Sequence, residues 1–393
     1  MVLPDYKGYG IVNLMSSVRN AYGIGSRYAE SAFISSSEIK TKKNIVLMVI
    51  DGLGYEYLMR HRSFLNDKLR GRMTSVFPST TAAALMTFVT GVAPQQHAFT
   101  SWYVNLKETG TVTAILPYKT RLGKLSLKNS GVPFNELIVE YPFTRKGMKG
   151  MKGMKGMKGI RFIHITKDDL SKSDSTNICS PCKIMGSGTL RSFFMNINKA
   201  VNLSGNKYIY AYWPVFDSLC HHYGVNSKDV KAHFDEICEG IKYLEKKLEG
   251  TDTMLIVTAD HGLVNVPDKN RIDLADYPDI RDCMTLPMCG EPRAGYFYIR
   301  PSKTKKFESA VNKHLSHYGT LHKAEDLIRK GYYGLFEPSK KLFDRIGDYV
   351  FIMNEGYVIR DYLSESERKR KHKAHHGGVS EEEMYVPLVV FDF

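Results

Sequence analysis

Aspartate and histidine gather in four short clusters along this chain: Asp51 in "VIDG", Asp217 and His221 in "FDSLCHHYG", Asp260 and His261 in "TADHG", and His375 and His376 in "HHGG". Carboxylates and imidazoles are ligands for hard and borderline divalent cations. Asp217 and His221 stand four residues apart, so one helical turn would bring both to one face and one cation. A lone strand-end aspartate usually caps a turn, and a lone histidine usually packs. Four such clusters, each beside a predicted strand end, point to a shared metal centre. A further group is hydroxylic. In "SVFPSTTAAALMTFVTG", residues 75–91, Ser79, Thr80 and Thr81 lie between a proline and an apolar run. The run reads as a helix, and a helix start needs a hydroxyl cap because its first N–H groups lack partners. Spacing alone leaves open which hydroxyl caps and whether any of them is a nucleophile.

The elements around these residues indicate how they would be positioned. "NIVLMVID" (44–51), "YIYAYWPVFD" (208–217), "TMLIVTAD" (253–260) and "YVPLVVFDF" (385–393) read as buried parallel strands. Between them lie helical patterns. The clearest is 229–250, with Val230, Phe234, Ile237, Ile241, Leu244 and Leu248 on one stripe and Gly250 as its stop. Alternation of this kind predicts an α/β fold, a three-layer, mostly parallel sheet with helices on both faces. Ligands of such sheets collect at the carboxyl ends of the strands, where the aspartates fall. From Gly262 to His372 the pattern shifts to α+β: "AGYFYIRP" reads as a strand, "KFESAVNKHLSHYG" as a helix, and "DYVFIMNEGYVIRDY" as a hairpin turning at Asn354–Gly356. The expected organisation is a catalytic domain of 1–261 and 373–393, with 262–372 inserted as a smaller α+β subdomain.

The chain has 393 residues and a formal charge of +14. The low-complexity segment "RKGMKGMKGMKGMKG", 145–159, carries six of these charges, and without it +8 remains. Glycine at every third position suits a basic loop better than a helix or strand. Clustered lysines attract polyanions, so a basic polyanion-binding protein is a non-enzymatic alternative, and nucleic acid is not the favoured partner. No apolar run reaches the roughly 18 residues of a membrane span. The beginning of the chain lacks a secretory pattern, and six cysteines are too few for a disulfide scaffold. The expected location is cytoplasmic. Cys179 and Cys182 form a CxxC with no second CxxC following, which makes a structural metal the weaker reading there.

The motifs "VIDGLG", "FPSTTAAALMTFVTG", "DSLCHHYG", "TADHG" and "HGG" occur in an order that resembles the alkaline phosphatase superfamily, in its type I phosphodiesterase/nucleotide pyrophosphatase branch, from about Asn44 to Phe393. The resemblance implies an alkaline phosphatase-like fold and two divalent metal ions, zinc by family precedent. Asp51, Thr81, Asp260 and His261 would hold one ion, and Asp217, His221 and His376 the other. His376 is preferred to His375 because it directly precedes Gly-Gly, and His222 falls one position off the ligand spacing. The branch carries its nucleophile after F-P-S-x, which selects Thr81 over Thr80. It would attack a phosphodiester or nucleotide substrate and form a covalent phospho-threonine.

One stretch departs from the branch. Where an Asn follows an H-G-I segment in the family, this chain reads "QQHAFTSWYVN", which places Trp102 at the Asn position and makes Trp102 and Tyr103 candidate substrate-binding residues. Glu291 and Arg293 of "CGEPRAGYFYIRP" resemble a stretch of bacterial and archaeal members. They are read either as substrate-facing or as a salt bridge, with the bridge preferred. A sulfatase is disfavoured because "TAAAL" lacks the Pro and Arg of that branch. Phosphomonoesterase, phosphonate hydrolase and phosphomutase chemistry remain enzymatic alternatives.

Overall fold

A computed structural model describes residues 1–146, 159–179, 182–369 and 371–393. The K-G-M repeat and the middle of the CxxC lie outside the described residues, as does the Cys179 side chain.

Three β-branched and aromatic runs form strands at Asn44–Ile50, Lys207–Trp213 and Thr253–Thr258, and every residue in them is buried. Burial on both faces is what a parallel strand between helical layers requires. These three pair in parallel at the centre of a seven-stranded sheet. Its order is Leu69–Thr74, Tyr385–Asp392, Thr253–Thr258, Asn44–Ile50, Lys207–Trp213, Arg161–Lys167, Lys183–Ser187. Helices flank the sheet, giving an alkaline phosphatase-like α/β fold. The amphipathic helix Lys228–Leu248 buries Val230, Phe234, Ile237, Ile241, Leu244 and Leu248, the stripe expected from sequence, and packs against Leu190–Val201. Among the described residues no helix is long and apolar enough to cross a membrane.

Two expectations need correcting. Tyr385–Asp392 is buried as expected but runs antiparallel to both neighbours, Thr253–Thr258 and Leu69–Thr74. An apolar run marks burial and carries no information on direction. Nor do Tyr349–Met353 and Val358–Arg360 form a hairpin. The first pairs with Ala294–Phe297 and Gly319–Lys323, and the second runs parallel to Arg271–Asp273. The turn forms at Gly356 (φ 77°), but the returning strand finds a different partner.

A second seven-stranded sheet is antiparallel throughout, in the order Gly319–Lys323, Tyr349–Met353, Ala294–Phe297, Cys289–Glu291, Tyr103–Leu106, Thr111–Ala114, Lys119–Thr120. The α+β segment at 262–372 therefore shares its sheet with residues 103–120, which precede it by more than a hundred positions. The single residue pair Gly290–Tyr103 joins the two halves. This juncture brings Trp102 and Tyr103 beside Glu291.

Candidate active site

Three of the clusters enter the site from the end of a central strand or the helix after it, and the fourth from the segment ahead of the last strand. Asp51 follows Asn44–Ile50, its N–H donating to Trp213 O at 3.0 Å. Gly52 then turns the chain at φ 77°, where a Cβ would sit 2.7 Å from Leu263 and 3.0 Å from Asp217 Cβ. Asp217 does not end its strand. It lies in the first turn of helix Val215–Tyr223, with His221 one turn later and the two side chains 3.3 Å apart. Asp260 and His261 follow Thr253–Thr258. At Gly262 a Cβ would come within 1.9 Å of Glu382 O, so the chain passes there only as glycine. His376 precedes the last strand.

Donor atoms of Asp217, His261 and His376 lie within 4.8 Å of one another, as do those of Asp51, Asp260 and His261. His261 thus stands between the two groups that the sequence separates, and His221 adjoins Asp217. The imidazoles share one orientation. Nδ1 of His221 lies 2.7 Å from Ala374 O, that of His261 3.1 Å from Gly262 O, and that of His376 3.2 Å from Ser79 O. A carbonyl only accepts, so each Nδ1 carries a proton, and in the neutral ring Nε2 is the nitrogen with the lone pair. Asp260 Oδ1 accepts from the N–H groups of Gly52 and His261 at 3.0 and 2.9 Å, and Asp51 Oδ2 accepts from the Tyr212 hydroxyl. The other oxygens, Asp51 Oδ1, Asp217 Oδ1 and Asp260 Oδ2, are buried without a hydrogen-bond partner. Burial first, then Asp260 and Asp217, pushes the Asp51 carboxyl well above its usual range, and burial raises Asp217 as well. His376 is pushed well below the usual range by burial and by its histidine neighbours. Three orphaned carboxylate oxygens facing neutral imidazole lone pairs suit divalent cations, which would offset charges the protein leaves uncompensated.

Thr81 is the first residue of helix Thr81–Thr90, and its Oγ1 lies 3.1 Å from His261 Nε2. Thr80 holds the cap position, but its hydroxyl donates to Glu291 Oε1 at 2.7 Å, while Ser79 donates to Gly378 O at 2.8 Å. No side-chain hydrogen bond caps this helix, and uncapped N–H groups at a helix start favour an anion.

The site opens into a cavity of about 820 Å³, and Trp102 and Tyr103 both line it. His375 does not join the cluster. Its nitrogens face Arg360 and His372 O, and His222 is exposed. The preferred Glu291–Arg293 bridge is absent. Arg293 pairs with Glu383 at 2.7 Å, whereas Glu291 lines the cavity and accepts from Thr80 and from Trp102 N–H, both at 2.7 Å. Burial raises the Glu291 carboxyl to about 7. Tyr212 and Arg360, which also line the cavity, carry no spacing signal in the sequence.

The sequence pattern of the family described as "Type I phosphodiesterase / nucleotide pyrophosphatase" matches residues 45–117 and 184–378. Murine ectonucleotide pyrophosphatase / phosphodiesterase 5 has a similar structure, with TM-score 0.66, 16% identity, and coverage of 88% of this chain and 87% of that one. An inactive threonine-to-alanine variant of the murine protein in complex with AMP and the human protein each match with TM-score 0.65, 16% identity and the same coverage. Curated protein sequences give no match. With more than half of its length inside the family pattern, the chain belongs to the type I phosphodiesterase/nucleotide pyrophosphatase family and is a hydrolase of that class.

Proposed function

We propose that this protein hydrolyses phosphodiester or pyrophosphate bonds of nucleotide-type substrates through a phospho-Thr81 intermediate. Two divalent ions, zinc by family precedent, would be held by Asp51, Thr81, Asp260 and His261 and by Asp217, His221 and His376. The observation that carries this reading is the shared orientation of three imidazoles, whose Nε2 lone pairs converge with unpartnered carboxylate oxygens beside the Thr81 hydroxyl. When bound, such ions supply Lewis-acid stabilisation of phosphoryl charge and lower the pKa of a nearby hydroxyl or water.

The chain itself orients the reaction. Thr81 Oγ1 gives up its proton and bonds to phosphorus as the bond from phosphorus to the leaving oxygen breaks, and the leaving oxygen departs as an anion or takes up a proton from water. Water then cleaves the phospho-threonine and restores the hydroxyl. The uncapped start of helix Thr81–Thr90 offers N–H groups to the phosphoryl oxygens throughout. AMP in the murine neighbour supports a nucleotide-type substrate. A cytoplasmic location is part of this reading, supported by five free cysteines among the described residues.

The test compares bis-p-nitrophenyl phosphate with p-nitrophenyl phosphate, with and without chelator, in wild type, Thr81→Ala and Thr80→Ala. The diester should be preferred, chelation should stop turnover, and Thr81→Ala should lose on the order of a thousandfold or more. Clear preference for the monoester would overturn the diester assignment. Full activity in Thr81→Ala would remove the threonine from its role.

A further inference from the structure

Arg360 lines the same cavity as Thr81, Asp217 and His221. It ends the short strand Val358–Arg360, and Nη2 lies 3.4 Å from His375 Nδ1. His375 Nε2 faces His372 O at 3.1 Å and so carries the proton, leaving Nδ1 as the acceptor for the guanidinium. With Nε2 donating and Nδ1 accepting, the partner of this cation is a neutral ring. Among the described residues no carboxylate lies within 4.0 Å of Arg360.

Nearby acids are occupied elsewhere. Glu367 pairs with Arg121 at 3.1 Å, Asp361 accepts from Met288 N–H at 2.9 Å, and Glu291 holds Thr80 and Trp102. Arg121, the other arginine on the cavity wall, is committed through Glu367 and the carbonyls of Met288 and Asp361. Burial opposes the Arg360 charge, yet a guanidinium keeps its proton. Arg360 is half-buried, with no carboxylate among the described residues in direct contact and only the Glu291 carboxylate acting on its charge from further off, so an incoming anion would relieve the cost of its partial desolvation.

We propose that Arg360 is a specificity residue that pairs with a second anionic group of the substrate, a phosphate in the leaving half, so that pyrophosphate-bonded substrates are favoured over diesters with an uncharged leaving half. The assignment rests on the phosphodiesterase reading above. The fork of a guanidinium matches phosphate oxygens bidentately, and a pair of this kind discriminates strongly when water is excluded.

The decisive measurement is binding. AMP and ADP are titrated calorimetrically into metal-loaded Thr81→Ala protein carrying Arg360, Arg360→Lys or Arg360→Ala. With Arg360, ADP should bind about tenfold or more tightly than AMP. Arg360→Ala should abolish most of that ratio and Arg360→Lys should keep part of it. A ratio unchanged by Arg360→Ala overturns the proposal, as does an equal fall in both affinities, which would make Arg360 a general support of the site. In otherwise wild-type enzyme, the kcat/KM ratio of ATP to bis-p-nitrophenyl phosphate should drop about tenfold in Arg360→Ala. If wild type turns over neither compound, the hydrolytic reading falls while the ADP-to-AMP ratio still decides the role of Arg360.

Discussion

The rings of His261 and His376 stack with centroids 3.9 Å apart and planes 23° apart. Two imidazolium ions would repel at that separation, and burial beside its histidine neighbours favours the neutral form of His376, the form that binds metal. His376→Ala should lower metal content measured by elemental analysis and reduce diester hydrolysis by about a hundredfold or more. Chelation of wild type should lower the melting temperature, because Asp51, Asp217 and Asp260 would face one another uncompensated. A melting temperature unmoved by chelator would count against bound cations.

Tyr212 donates its hydroxyl to Asp51 Oδ2 and fixes the orientation of that carboxylate. Tyr212→Phe removes the bond and keeps the ring. Metal affinity, followed by competition with a chromophoric chelator, should fall about 10–100-fold with little change in secondary structure.

Glu291 titrates at about 7, against an ordinary value of 4.5, because it is buried. The folded state therefore holds a proton that the unfolded state releases between about 4.5 and 7, and stability falls as pH rises through that window. Above about 7 the loss stays constant. Glu291→Gln keeps an oxygen that accepts from Thr80 and Trp102. Metal-free Glu291→Gln should therefore melt a few degrees above wild type at pH 8 and close to it at pH 4.5. Equal differences at both pH values would contradict this assignment.

Arg293 and Glu383 form a fully buried bidentate pair, at 3.0 and 2.7 Å, and Glu383 also accepts from Gly378 N–H at 2.7 Å. Arg293→Ala leaves that carboxylate without its cation and should cost about 3–5 kcal/mol in urea denaturation. Combining it with Glu383→Gln should cost less than the sum of the two single changes.

Much of the candidate site was legible in the chain because the residues proposed as ligands sit at local landmarks. Asp51 and Asp260 follow apolar runs, and Asp217 and His221 differ by one helical turn. Features set by distant partners were not legible. Nothing near Arg293 indicates that its carboxylate partner lies 90 residues away rather than at Glu291. The direction of Tyr385–Asp392 depends on which edge of the sheet is open to it, and its own alternation is silent on that point. Val358–Arg360 shows the same limit. Its turn chemistry predicts a return, but the neighbour it reaches, Arg271–Asp273, is fixed by packing of the α+β segment. Trp102 and Tyr103 were legible as candidates only by analogy, whereas Arg360 could be recognised only once the cavity was built.

The last strand is wedged between Leu69–Thr74 and Thr253–Thr258, one place in from the edge of the sheet. During synthesis, Thr253–Thr258 must wait more than a hundred residues for the neighbour that covers its outer side. Until Tyr385–Asp392 leaves the ribosome, a hydrophobic strand edge stays open to pairing with another chain, and His376 has not been delivered to Asp217 and His261. A nascent chain of this protein thus gains its protected sheet edge and its complete candidate metal centre together, as residues 376–392 emerge.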